Sequence, residues 1–493
     1  MRNTLQGMAV LRVLRHPAML RLWLAQVIYL SVQFAASYAM IIFITIKTNS
    51  ATMVGLVIIT LSLPIVLFGA PAGALVDHLD RRAVLWISNV VRAIATALFI
   101  IALLVAPDQY YSIYVLAFFF SLVGLFFTPA EGAIIPGLVD ESELLPALSL
   151  YNLTLNASQA IGLLILGPVA LNFLPAIPLR FGHAQIMFTP IMTLFAIITI
   201  LYLFAALLTS KLPIEQRSHT TTADEQSALA RDRDTPHVAI IPDQPSATSS
   251  ERWGRIGVDL REGWQLVRHD GMLAGALFQA CFGGLVMLTI AQLAPIFVQR
   301  LLSLPANDTA LIFAPAGVGL VAGGVLVPSL VGRLGSTRTM VAGMIGTAIG
   351  IGMLPLTLLL KHANIEILFL VVVIALTVLV GFSLDLIVVP AQTRIQEHSP
   401  DAMRARIQAF YQVVFNGGSI PVMLSMGTLT DRFGLVPVLF VLAGCAVVAL
   451  LLTISRDSPR RPETPPPPAD VPVAGNGSSR TRTVSPTADM AGR

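Results

Sequence analysis

Charge is what this sequence has least of. Only 12% of its 493 residues are Asp, Glu, Lys or Arg, whereas 55% are hydrophobic, and the mean hydropathy is +0.78. A soluble globule of that composition would be covered in exposed apolar surface, which leaves a bilayer as the natural solvent. Cysteine is nearly absent too. Cys281 and Cys445 lie in separate apolar runs, so neither a disulfide framework nor a thiolate metal cluster is expected, and both read as small core residues. The histidines stand singly in loops without ligand spacing, and no nucleophile or paired carboxylates occur at membrane depth. That argues against an integral membrane enzyme and against any cofactor. No Gly-x-x-x-x-Gly-Lys-[Ser/Thr] motif occurs, so active transport would be secondary. The basic residues behind the pI of 9.3 are scattered between hydrophobic runs, which argues against a nucleic-acid patch.

What the chain does have is long uncharged runs. Crossing ~30 Å of hydrocarbon takes about 20 helical residues, and twelve stretches qualify: 22–46, 51–76, 84–106, 111–136, 147–174, 186–210, 272–298, 309–332, 339–360, 364–390, 407–430 and 433–455. The first follows Arg2, Arg12 and Arg15, is too long for a signal peptide and lacks a small-residue cleavage site, so a retained helix is expected. Twelve spans put both termini on one side. With that side cytoplasmic, Lys and Arg near helix ends divide seventeen inside against five outside (Lys47, Arg180, Arg300, Lys361 and Arg432). A multi-pass plasma-membrane protein with both termini in the cytoplasm is predicted.

Four segments follow from composition: a six-helix bundle over 1–211, a polar flexible linker over 212–250, a second bundle with a preceding interfacial helix over 251–456, and a disordered cytoplasmic tail over 457–493 containing four consecutive prolines. The interfacial helix is read from Trp253, Ile256, Leu260, Trp264 and Val267 at helical spacing with interleaved arginines. It either lies on the membrane surface or packs on neighbouring loops. Two short matches relate the halves. Leu75-Val76-Asp77-His78-Leu79-Asp80 recurs as Leu330-Val331-Gly332-Arg333-Leu334-Gly335, and Pro129-Ala130 with Asp140 recurs as Pro390-Ala391 with Asp401. The fold predicted is an all-α membrane protein with twelve transmembrane helices in two pseudo-symmetric six-helix bundles.

The stretch from Gly73 through Leu75, Asp77 and Asp80 to Arg81-Arg82 resembles the signature loop between the second and third helices of the major facilitator superfamily, Gly-x-Leu-Ala-Asp-Arg-x-Gly-Arg-Arg, with His78 and Asp80 as departures. Arg21-Leu22-Trp23-Leu24-Ala25-Gln26, Pro129-Ala130 through Ile135-Pro136, and Gln396 through Arg404-Ala405-Arg406 are similar to its macrolide-efflux and enterobactin-exporter branch. The resemblance implies a cytoplasmic latch of Asp77 and Arg81 against the start of helix eleven near Arg406 to Phe410. The residues alone suggest a network of Asp77, Arg81 and Glu131, because carboxylates at helix ends near arginines form charge-assisted hydrogen bonds that bias a two-state equilibrium, and Gly73 and Arg82 of the same loop are assigned to the latch with them. Exporters of that branch carry an acidic residue where this chain has Gln33, and an amide does not titrate.

Ionisable residues that no loop explains are Arg92, Glu131 and Asp385, functional candidates because such groups cost free energy in hydrocarbon. Arg92 either serves the transport path or snorkels towards Asp77 or lipid phosphates. Asp385 and Glu131 are the candidate proton carriers. A cavity lined from helices one, four, seven and ten would offer Gln26, Gln33, Gln279, Gln292 and Asp385 among Tyr29, Phe119 and Phe282. That mostly apolar lining suits amphipathic or lipophilic small molecules. The expected partners are a small-molecule substrate, protons as coupling ion and membrane lipids, with no nucleic acid, and the protein is expected to be a monomer. The function predicted is secondary-active export by alternating access; the alternatives are lipid or lysophospholipid translocation and a transport-dead receptor or scaffold.

Overall fold

The computed structural model describes residues 12–76, 79–181, 184–212, 261, 264–265, 267–363, 365–399 and 403–456. Twelve helices long and apolar enough to cross a membrane run through them: α1 Pro17–Thr48, α2 Ala51–Val76, α3 Arg81–Val105, α4 Ser112–Ile134, α5 Leu144–Phe173, α6 Pro190–Ser210, α7 Gly271–Leu302, α8 Ala306–Leu334, α9 Ser336–His362, α10 Glu366–His398, α11 Arg404–Phe433 and α12 Leu435–Arg456. Helices are forced by the solvent, because only a segment that satisfies its own backbone can lie in lipid. Their ends follow local chemistry. Asp80 caps α3 by accepting from Arg82 N at 3.0 Å, and Asp270 caps α7 by accepting from Met272 N at 2.9 Å. Single glycines at φ 84°, Gly335 and Gly434, join α8 to α9 and α11 to α12, a left-handed turn that a side chain would strain.

The spans predicted from hydropathy match in number and order. Most boundaries move by a few residues, and two of the shifts have a consequence. The sixth begins later because residues 177–188 form a hairpin of strands β1, Ile177–Phe181, and β2, Ala184–Phe188, paired antiparallel from Ile177↔Phe188 to Phe181↔Ala184. The tenth runs on to His398, so Asp385 lies ~20 Å from its end at 1.5 Å per residue.

In the first half, α1 packs on α5 and α6, α3 on α4 and α6, and α2 on α4. In the second, α10 is wrapped by α7, α8 and α9, and α12 packs on α9. Glycines permit the closest approaches. A Cβ on Gly381 of α10 would lie 2.0 Å from the Ala316 carbonyl of α8, and one on Gly319 of α8 would lie 2.1 Å from the Val378 carbonyl of α10. In α5, Pro168 has no N–H to donate back one turn, and the preceding Ile161–Leu166 widens into a π-helical stretch whose Gly162 lies against the Ser31 carbonyl of α1.

Residues 12 and 456 lie on one face of the bundle, called the terminal face below; the other is the far face. The predicted tail and most of the predicted linker fall outside the described residues, as do Trp253, Ile256 and Leu260 of the interfacial helix. Of the remainder, Val267 is buried in a cluster with Leu273, Met340, Ile395 and Tyr411, while Trp264 is half exposed with its ring 6.1 Å from Phe410.

Candidate functional site

Two constellations of polar side chains stand out from the apolar interior. The first lies inside the first half. Arg92 of α3 is 1% exposed, so it does not snorkel. Its guanidinium sits in an aromatic box, 5.3 Å from the ring centres of Tyr29 and Phe127 and 5.9 Å from that of Tyr202. Aromatic faces carry the negative end of the ring quadrupole, and desolvation strengthens their attraction for a cation. The Tyr29 hydroxyl donates to Glu131 Oε2 at 2.9 Å, so Tyr29 links the buried cation of α3 to the buried carboxylate of α4. Arg92 Nε and Nη1, Glu131 Oε1, Asn89 and the Tyr202 hydroxyl have no hydrogen-bond partner among the described residues. The box joins α1, α3, α4 and α6 through ring contacts to one cation and a hydroxyl link to one carboxylate.

Of the residues assigned to a latch, Asp77 lies outside the described residues, and Gly73 falls within α2. Arg81 Nη1 donates to the Ala133 carbonyl at 2.8 Å, joining the start of α3 to the end of α4, and an Arg82 guanidinium nitrogen donates to the Ser210 carbonyl of α6. Glu131 is turned towards Tyr29 of α1.

Most of the amides expected to line a cavity are engaged in helix contacts. Gln26 donates to the Tyr151 carbonyl at 3.3 Å, Gln279 donates to Thr453 Oγ1 at 3.4 Å, and both are buried. Gln33 remains half-buried. Asp385 is half-buried as well, its Cβ 2.6 Å from where a Gly323 side chain would begin on α8. A path between the halves is therefore more apolar than the sequence suggested.

The second constellation was not anticipated from sequence, and it crosses between the halves at the far face. Asp431, at the end of α11, accepts from Ser50 Oγ at 2.6 Å and from the backbone N–H groups of Ala51 at 2.8 Å and Thr52 at 3.0 Å. A carboxylate from the second half thus caps the first turn of α2, where unsatisfied N–H groups and the helix dipole favour an anion. Arg300 of α7 donates to the Asn49 carbonyl at 2.6 Å and lies 3.8 Å from Asp431. About two turns deeper along α7, fully buried Gln292 Nε2 donates to the Ala51 carbonyl at 2.9 Å and the Met423 carbonyl at 3.0 Å. Tyr38 of α1 donates to the Asn307 carbonyl at 2.8 Å, and Asn307 donates to the Leu171 carbonyl at 3.3 Å. Contacts at the terminal face stay within one half: His16 with Glu143 at 2.9 Å, Arg21 with the Lys211 carbonyl at 3.1 Å, and Arg394 with Thr337 at 2.6 Å. Among the described residues, no hydrogen bond joins the halves there.

Twelve membrane-length helices agree with a model described as Major Facilitator Superfamily that matches residues 22–422. The chain belongs to the major facilitator superfamily. That family is one of membrane transporters. Among curated proteins, macrolide efflux protein A of Streptococcus pyogenes is 28% identical over 160 residues, 32% of this chain and 40% of the relative, and the protein of its serotype M6 strain matches equally. The chain thus spans less than half the length of the relatives it matches. Solved structures share the fold: the nucleoside transporter NupG (12% identity, TM-score 0.60, covering 89% of this chain and 98% of that one), a bacterial homologue of the iron transporter ferroportin in an inward-facing state (13%, 0.61, 90% and 98%), and a D-xylose–proton symporter (16%, 0.60, 90% and 97%).

Proposed function

We propose that this facilitator is a secondary-active exporter of amphipathic or lipophilic small molecules, working by alternating access in the plasma membrane. The observation that carries the mechanism is the asymmetry of contacts between halves. They are hydrogen-bonded to each other at the far face through Asp431, Gln292, Arg300 and Asn307, whereas the terminal-face bonds of Arg21 and Arg394 stay within one half. A bundle closed at one end is one of the two states that alternating access requires. The excess of Lys and Arg supports a cytoplasmic terminal face, and with the far face held closed a molecule for export would load from the cytoplasm. The latch assigned to Gly73, Asp77, Arg81, Arg82 and Glu131 would close that face in the opposite state. The substrate class rests on the path's having few polar groups left over once Gln26 and Gln279 are taken up in helix contacts, and on the similarity to a macrolide efflux protein.

The test is accumulation of a panel of lipophilic drugs, macrolides included, in cells with and without the protein. Lower accumulation in expressing cells is expected; equal accumulation across the panel would sink the reading. One observation favours a second cargo. An apolar groove of about 300 Å³, lined by Val84, Ile87, Val91, Val123 and Phe126, opens between α3 and α4 beside Asp80. A groove of that size and polarity suits an acyl chain, so a fluorescent lysophospholipid belongs in the same panel.

A further inference from the structure

The loop that joins α2 to α3 has a second copy at the other end of the molecule. Gly73-x-Leu75-x-Asp77 closes α2 at the terminal face, and Gly427-x-Leu429-x-Asp431-Arg432-Phe433-Gly434 closes α11 at the far face. The helices are antiparallel neighbours across the halves, so the C-terminal end of each lies beside the N-terminal end of the other. At the far face the consequence is visible, because Asp431 accepts three hydrogen bonds from Ser50, Ala51 and Thr52 at the start of α2. Gly427 makes the approach possible: a Cβ there would lie 2.8 Å from Thr52 Cα and 2.7 Å from Gln292 Nε2.

We infer that Asp431 is the far-face latch of the transport cycle, the residue that positions α2 against α11 while the terminal face is open. Capping and closure are then one event. When the halves part, the first N–H groups of α2 lose the carboxylate and Asp431 loses its three donors, and both pass to water. The free-energy difference between capped and hydrated ends sets how long the far face stays shut. Ser50 keeps α2 from fraying in the parted state, since its hydroxyl oxygen also accepts from Met53 N at 3.3 Å. Gln292 and Arg300 add neutral and charged hydrogen bonds to the same seam, but the carboxylate alone touches the backbone of the opposing helix terminus through both its oxygens.

The inference rests on the alternating-access reading, and the experiment separates the two. Full-length protein lacking Cys281 and Cys445 is spin-labelled at the exposed far-face positions of Asp108→Cys and Ile367→Cys and, separately, at the terminal-face positions of Leu145→Cys and Leu334→Cys. Distances are measured in lipid nanodiscs by pulsed electron resonance. Asp431→Ala is expected to raise the ratio of long to short far-face distances on the order of tenfold and to shorten the terminal-face pair in step. Asp431→Asn, which keeps an acceptor but not the charge, should do the same less strongly. Ser50→Ala, which removes one donor and leaves the backbone contacts, serves if the carboxylate variants insert poorly, and it should shift the ratio in the same direction. Two populations whose ratio none of these variants changes would overturn the latch while leaving alternating access intact. A single population in the wild type and every variant would overturn both.

Discussion

At the scale of the residue, Arg92 shows how a cation can be held at membrane depth without an ion pair. No acidic oxygen lies within salt-bridge distance of it among the described residues; its neighbours are the rings of Tyr29, Phe127 and Tyr202, and Glu131 is reached only through the Tyr29 hydroxyl. Truncating one member of a buried charge set leaves the other uncompensated, at a cost of about 3–5 kcal/mol. Arg92→Ala is therefore expected to lower the thermal stability of detergent-solubilised protein sharply. Arg92→Ala with Glu131→Gln should recover part of the loss, since the amide carries no charge to strand. If thermal unfolding showed the two losses simply adding, the charges would be energetically independent and the coupling through Tyr29 wrong. The sequence marked Arg92 and Glu131 as costly in hydrocarbon, but it gave no sign of the box, because its walls come from α1, α4 and α6 and meet only once helix rotation is fixed. Gln26, Gln279 and Gln292 were misplaced for the same reason: hydropathy assigns a residue to a helix without saying which way it faces.

At the scale of the element, glycine spacing decides how the second half packs. α8 and α10 approach until backbone touches backbone at Gly319 and Gly381, so any side chain there must move a carbonyl and not merely a rotamer. Gly381→Val is expected to abolish the monodisperse species on size-exclusion chromatography. Gly444→Ala in α12, where nothing lies within 4 Å of the added carbon, should leave the profile unchanged. A normal profile for Gly381→Val would mean that the two helices are not in contact there. Helix existence was legible because each span must satisfy its own backbone in lipid. The hairpin at 177–188 was not, although Gly182-His183 between two short apolar runs was a usable signal. Only its last residues, 186–188, were read into the sixth span, and the rest fell in the loop before it. The repeat of Gly-x-Leu-x-Asp in α11 was equally open to inspection. It was missed because the comparison sought matching loops at the same face of each half, whereas this pair sits at opposite faces.

At the scale of the whole molecule, the proposed exporter, if driven by a proton gradient, needs a carboxylate to couple it, since Gln33 cannot titrate. Glu131 is enclosed, with one oxygen held by Tyr29 and the Arg92 charge close by, so a change in its protonation would disturb the packing of four helices of one half. Asp385 is only half-buried, on a helix of the other half, against the bare backbone of Gly323 and Gly324, where a proton can arrive and leave without breaking a side-chain network. Asp385 is therefore the better carrier, and neutralising it should uncouple the cycle while leaving the carrier able to move. In proteoliposomes with an imposed proton gradient, the wild type is expected to concentrate a lipophilic substrate several-fold and to lose that capacity when an ionophore collapses the gradient. Asp385→Asn should equilibrate the substrate at a comparable rate but never concentrate it, with or without ionophore, whereas Glu131→Gln should reduce the amount of folded protein before it alters the dependence on the gradient. Concentration that persists in Asp385→Asn would move the coupling site elsewhere. Concentration that survives the ionophore in the wild type would remove protons from the mechanism altogether.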